Sequence, residues 1–247
     1  MTQSRLGSKT IQLSLAAIFT PLVFVATTIF TIYVPQTRGF FNIGETAVYT
    51  TALLFGPIAG AFAGGVGSMF ADLYLGYPQY APATLLIKAC EGIIVGVLSR
   101  NRLLSGSSLQ WKAFTLVLGL ITGALLGVIG SLYYSGSVEL YLGLPPPTSP
   151  TQTLYVPPEF WYALGTLAAF LISLMGFVFE PEFGWFVLAV LIGGVEMVAG
   201  YFLYQQFFLG VLAIAEIPVN IGQMIVGLIV SIPVVRAVRR YLPSLKT

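Results

Sequence analysis

Glu216, Asn220 and Gln223 follow one another at intervals of four and three residues near the end of the chain. That spacing puts all three side chains on one face of a helix. Asn and Gln each carry donors and acceptors, so with a carboxyl beside them they can hold a heterocycle or a hydroxylated chain. Pro218 falls between them, and a proline weakening the helix there would free backbone carbonyls for the same ligand. A polar contact between packed helices uses the same residue types, and the sequence leaves both uses open.

Asn42, Glu45, Asp72, Lys88, Glu91 and Glu196 are set into runs that are otherwise apolar or small. Lys88 and Glu91 are three apart and can neutralise each other or meet a ligand. Glu196 falls mid-helix with no cation near it in sequence, and Tyr201 and Tyr204 follow it. Asp72, Tyr77, Gln79 and Tyr80 bracket the short connection GYPQYA (Gly76–Ala81), where a solute would enter; aromatic residues there are also the expected belt at a membrane interface. Asn42 and Glu45 serve either a ligand or the cap and first turn of a helix.

Other chemistries lose by absence. There is no His, which removes the commonest general base and metal ligand. Asp72 is the only aspartate, and the lone Cys90, inside an apolar run, reads as packing. Gly7-Ser8-Lys9-Thr10 lacks the upstream glycine of a phosphate-binding loop. No catalytic residues, metal site or cofactor are expected, and any ATP hydrolysis belongs to a partner.

These side chains need elements to position them, and composition names the solvent. The 247 residues are 57% hydrophobic and 8% charged, with mean hydropathy +0.90. Soluble domains carry about 25% charged residues, so this chain belongs in a lipid bilayer. A net charge of +2 does not suggest nucleic acid, and no cleavable signal peptide is evident because the first apolar run is too long.

A crossing takes about 20 residues, and Ile11–Val34 is long enough. Pro35–Ile43 reads as a loop with Arg38, Phe40 and Phe41. Thr46–Leu75 divides at Gly56-Pro57, a turn signal. Pro82–Ser99, Ala113–Tyr134, Phe160–Phe179, Phe183–Leu209 and Val211–Val235 complete eight segments. Within Thr46–Leu75, small residues recur every four: Gly56, Gly60 and Gly64 on one face, and Ala59, Ala63, Gly67 and Ala71 on another. That spacing lets membrane helices approach closely. Cytoplasmic loops carry the excess of Lys and Arg. With eight spans and both termini inside, Arg100–Lys112 and the tail bearing Arg236, Arg239, Arg240 and Lys246 are cytoplasmic. Ser135–Glu159, which has six prolines and no Lys or Arg, then lies outside. Arg38 is the only cation in an outer loop.

The run NIGETAVYTTALLFGPIAGAFAGGVGSMFADLYLGYPQYAPATLLIKACEGIIVG (Asn42–Gly96) resembles the substrate-binding S components of energy-coupling factor transporters, most closely the riboflavin-type branch. GGVEMVAGYFLY (Gly193–Tyr204) and AEIPVNIGQMIVG (Ala215–Gly227) resemble the same family's fifth and sixth helices. The resemblance implies an all-α polytopic membrane bundle forming a single membrane domain over 1–247. Its six-helix core spans 11–100 and 183–240, and 101–182 is an inserted helical hairpin and loop. It implies a multi-pass protein of the cell membrane that captures a vitamin-like small molecule outside and works with a membrane coupling subunit and two ATPase subunits. The family's first helix presents an Ala-x-x-x-Ala surface to the coupling subunit; Ala16-x-x-x-Thr20 and Ala17-x-x-x-Pro21 are the nearest matches, with Ala16 and Thr20 taken as the docking site.

The substrate-binding set is therefore Asn42, Asp72, Gln79, Tyr80, Lys88, Glu196, Tyr201, Glu216, Asn220 and Gln223. Riboflavin or a related vitamin or precursor is the ligand the resemblance implies. Five acids (Glu45, Asp72, Glu91, Glu196 and Glu216) against Lys88 alone also suit a cationic heterocycle. A stand-alone proton-coupled secondary transporter, with Glu196 or Glu216 cycling a proton, is the alternative; the lack of a convincing repeat between the halves weighs against it. A purely structural membrane subunit would not need so many buried acids.

Overall fold

Gly56 closes one helix and Pro57 opens the next. Gly56 has φ 89°, a backbone conformation that side chains strain against, and its N–H still reaches Ala52 O at 2.8 Å. Proline at the first position of the following helix loses no intrahelical bond. The divided Thr46–Leu75 is thus α2 (Glu45–Phe55) and α3 (Pro57–Leu75).

The computed structural model describes residues 9–34, 37, 39–100, 108–140, 149–178 and 181–241. Before α2 come α1 (Lys9–Ile29), β1 (Thr31–Val34) and β2 (Gly39–Asn42). After α3 come α4 (Ala81–Leu98), α5 (Ser108–Tyr133), β3 (Gly136–Leu140), β4 (Gln152–Val156), α6 (Pro158–Val178), α7 (Pro181–Leu209) and α8 (Glu216–Tyr241), with a 3-10 turn, Gly210–Ala215, between the last two. The bundle is helical, and six stretches are long and apolar enough to cross a membrane. The last of these, Gly184–Tyr241, is 58 residues long and contains both α7 and α8, far more than one crossing requires.

Three sequence expectations change. The first helix ends at Ile29 rather than Val34, because the β-prone Thr31-Ile32-Tyr33-Val34 pairs antiparallel with Gly39–Asn42, Tyr33 opposite Phe40. Arg38 lies outside the described residues. Pro218 is the third residue of α8, where no intrahelical N–H bond is due; it helps start the helix and breaks nothing. Cys90 is exposed on the outer side of α4 and does not pack in the core. The connection between α5 and α6 also contains a second antiparallel hairpin, β3–β4, with Gly136 opposite Val156.

The small-residue faces of α3 work as their spacing predicts. A side chain at Gly60 would meet the Gly92 carbonyl, and one at Gly64 the Lys88 carbonyl, so that stripe lies against α4. Gly67 sits against the Thr20 carbonyl and Val23, so the other faces α1. Tyr49, Leu53, Val187, Leu191, Met197, Met224, Leu228 and Ile232 form the main core between α2, α7 and α8. Leu13, Ile18, Phe62, Phe70, Leu86 and Leu116 point outward, as lipid-facing residues do. Arg100 donates to Phe55 O at 2.7 Å and Arg239 to Leu53 O at 2.9 Å, so two cations satisfy the free carbonyls at the end of α2.

Candidate functional site, a polar cavity beneath the first hairpin

The β1–β2 hairpin brings Phe40 and Asn42 over the ends of α3, α7 and α8, and a polar cavity lies beneath them. Its lining draws on Asp72 of α3, Tyr80 in the loop after it, Thr84 and Lys88 of α4, and Tyr201 and Gln205 of α7. Glu216, Asn220 and Gln223 complete the wall from α8, on one face as the i, i+4, i+7 spacing requires.

Asn42 is the joint between the hairpin and α8. Its backbone N–H and Nδ2 donate to Gln223 Oε1 at 3.1 and 2.5 Å, and Gln223 Nε2 donates to Asn220 Oδ1 at 2.9 Å. Asn42 Oδ1 accepts from the Gly44 N–H at 2.8 Å, so Asn42 also organises the turn into α2.

A charge network forms the floor. Lys88 pairs with Glu45 and, at 3.1 Å, with Glu91, and the Tyr49 hydroxyl donates to Glu91 at 2.8 Å. Lys88, Glu45 and Glu91 are at most 6% exposed, so the ions depend on one another in place of water. Glu45, the first residue of α2, therefore serves both as a first-turn acid and as the partner of Lys88.

Aromatic groups close the mouth. Phe40 packs on Tyr77 with ring centroids 4.8 Å apart, and Tyr80 meets Phe208 at 5.4 Å. The Tyr80 hydroxyl donates to Thr37 O at 3.0 Å, and Tyr204 donates to Gln79 O at 2.5 Å. Burial raises the Tyr77 phenol to about 12, so it stays a neutral donor throughout the physiological range.

Of the ten expected binding residues, Asn42, Asp72, Tyr80, Lys88, Tyr201, Glu216, Asn220 and Gln223 line this one cavity. Two stand apart. The Gln79 side chain is exposed at the mouth, and Glu196 is half-buried behind the floor, within electrostatic reach of Glu91 and Lys88. Thr27, Ser68, Thr84 and Gln205 also line the cavity, although nothing in their local sequence sets them apart from ordinary helix hydroxyls and amides. Ala16 is 1% exposed and Thr20 packs its carbonyl on Gly67. This face is turned toward α3 because small residues there allow the backbones to meet. The outward residues beside them on α1 include Ala17, Ile18, Pro21 and Leu22.

The polar cavity encloses about 50 Å³, whereas pockets for small ligands occupy about 300–1,000 Å³. As it stands the polar cavity is smaller than such pockets. A second, apolar cavity of about 570 Å³ lies on the other side of α8 and β2, lined by Phe41, Leu126, Trp161, Val219, Gly222 and Val226 among others. Among the described residues no group of His, Cys, Asp or Glu is arranged to hold a metal.

A helical bundle with six apolar stretches long enough to cross a membrane and a buried, hydrogen-bonded polar site at one end has the build of a multi-pass membrane protein. The family model for the ECF-type riboflavin transporter S component matches residues 7–144, and this chain belongs to that family. It is thus a multi-pass protein of the cell membrane. The chain is 30% identical over 127 residues to the thiamine precursor transporter HmpT of Lactococcus lactis subsp. cremoris (strain MG1363), covering 51% of this chain and 71% of that one. An uncharacterized protein of Pyrococcus woesei is 40% identical over 119 residues, 48% of this chain and 73% of its own. The family and the named relative are transporters. The family match takes in α5 and β3 and ends before α6, α7 and α8.

Proposed function

We propose that this protein is the substrate-capture subunit of an ATP-driven uptake system for a vitamin or vitamin precursor. The carrying observation is the convergence of eight polar or aromatic residues, from five elements and the loop after α3, on one cavity. The ligand binds from the extracellular side, with Asn42, Asp72, Tyr80, Lys88, Tyr201, Glu216, Asn220 and Gln223 as its contacts; Gln79 acts at the mouth and Glu196 through the floor. The chain crosses eight times with both termini inside, and α5–α6 is a hairpin added to a six-helix core. Contacts between the hairpin and the α3–α4 loop at one end, and Arg100 and Arg239 at the α2 end, support that orientation under the positive-inside rule.

A membrane coupling subunit and two ATPases supply the energy. The outward Ala17–Pro21 face of α1 is the better docking surface; Ala16 and Thr20 take part only if α1 shifts on α3. Binding is tested with the purified protein and no nucleotide, by thermal shift across a vitamin panel. A ligand-dependent rise in melting temperature is expected. Silence across a broad panel together with proton-coupled flux in liposomes would establish the secondary transporter in its place.

A further inference from the structure

The unanswered polar atoms of the cavity are all of one kind. Glu45 Oε2, Asp72 Oδ2, Gln205 Oε1 and Glu216 Oε2 have no hydrogen-bond partner, and all four residues line the polar cavity and are at most 5% exposed. Every one of these atoms is an acceptor when the acids are ionised. Most of the neighbouring donors are already engaged. Lys88 is held by Glu45 and Glu91, Asn42 Nδ2 by Gln223, Gln223 Nε2 by Asn220, and the Tyr80 and Tyr201 hydroxyls by Thr37 O and Thr84 Oγ1. A molecule entering here is favoured by the N–H groups it brings.

Charge narrows the class further. Three carboxylates and one ammonium line the cavity, and that ammonium is already shared between two acids. Asp72 and Glu216 form no salt bridge among the described residues. Phe40, Tyr80 and Tyr201 add aromatic rings to the same wall, and aromatic faces attract cations. Three acids against one shared ammonium disfavour an anion, and a neutral flavin supplies donors but leaves Asp72 and Glu216 without a counter-charge.

We infer that the ligand is a cationic, donor-rich heteroaromatic, an amino-substituted ring bearing a positive charge, with Asp72 and Glu216 answering that charge. This rests on the capture function proposed above and narrows its ligand. The test is isothermal titration of the full chain in nanodiscs with three probes: thiamine, which is a permanent cation carrying an aminopyrimidine; the hydroxymethyl aminopyrimidine alone, protonatable on its ring; and riboflavin, which is neutral. At least one of the first two should bind the wild-type protein about tenfold or more tighter than riboflavin. Asp72→Asn and Glu216→Gln should each weaken that probe about tenfold or more, the worth of a charge-assisted bond. Riboflavin binding tightest overturns the inference and leaves the capture function standing. Failure of all three, with a broader vitamin panel also silent, overturns both. Cation binding that both substitutions leave intact overturns the assignment to Asp72 and Glu216. The wild-type selectivity needs no variant, so a misfolded variant leaves the test decisive.

Discussion

Two cavities share one wall, and they differ in almost every respect. β2 and α8 divide them. Phe40 and Asn42 face the polar cavity while Phe41 faces the apolar one; Glu216, Asn220 and Gln223 look one way along α8, and Val219, Gly222 and Val226 the other. Strand alternation and helical periodicity produce this division without any special residue. The apolar cavity is much the larger, about 570 against about 50 Å³, yet it has few groups able to orient a polar solute. Room alone does not make a recognition site; convergent donors and acceptors do. The apolar cavity lies between α8 and the α5–α6 pair, which is tied to the 3-10 turn by Tyr134 donating to Ala215 O at 2.6 Å. Trp161 in turn donates to Tyr134 O at 2.9 Å.

The contrast can be broken most severely at the floor of the polar cavity. Lys88→Met leaves Glu45 and Glu91 buried without their cation, and removing one member of such a pair costs about 3–5 kcal/mol. Chemical denaturation in detergent should show that loss, and Lys88→Met combined with Glu45→Gln and Glu91→Gln should recover part of it. Recovery of nothing would mean the network is not what holds α2 on α4.

Next comes the joint between hairpin and helix. Gln223→Leu leaves the Asn42 donors unmet, and each buried unsatisfied group costs about 1–3 kcal/mol. Ligand affinity should fall by about tenfold to a hundredfold, with a smaller drop in melting temperature. Asn220→Leu should fall short of that, since it removes only the next link.

The smallest effect is expected across the wall. Val226→Phe adds bulk on the apolar side where there is space for it, and stability should move by less than about 1 kcal/mol. Binding should stay within about threefold of wild type, a shift of about 0.7 kcal/mol. A large loss from Val226→Phe would place the ligand, or the motion that admits it, on the apolar side.

Much of this was legible in the sequence, for reasons that differ by residue. Gly56-Pro57 declared the α2–α3 break because both residues impose backbone geometry locally. The small-residue stripes of α3 declared two packing faces by spacing alone, and Glu216, Asn220 and Gln223 shared a face for the same reason. The β1–β2 hairpin was hidden because Thr31–Val34 is as apolar as the helix before it, and hydropathy cannot tell strand from helix over four residues. The reach from Lys88 to Glu45 was hidden too: a partner 43 positions away is set by how α2 packs on α4. Thr84 and Gln205 joined the cavity for the same non-local reason. Ala16 and Thr20 were assigned outward by motif, but which side of α1 faces lipid depends on where the glycines of α3 lie.

The most direct test of the account is a structure of the protein saturated with whichever vitamin or precursor stabilises it most. Density for that molecule should lie between Asp72, Tyr201, Glu216 and Gln223, with the β1–β2 hairpin lifted from α8 to make room. Density confined to the apolar cavity beside Trp161, with the Asn42–Gln223 joint unchanged, would contradict it.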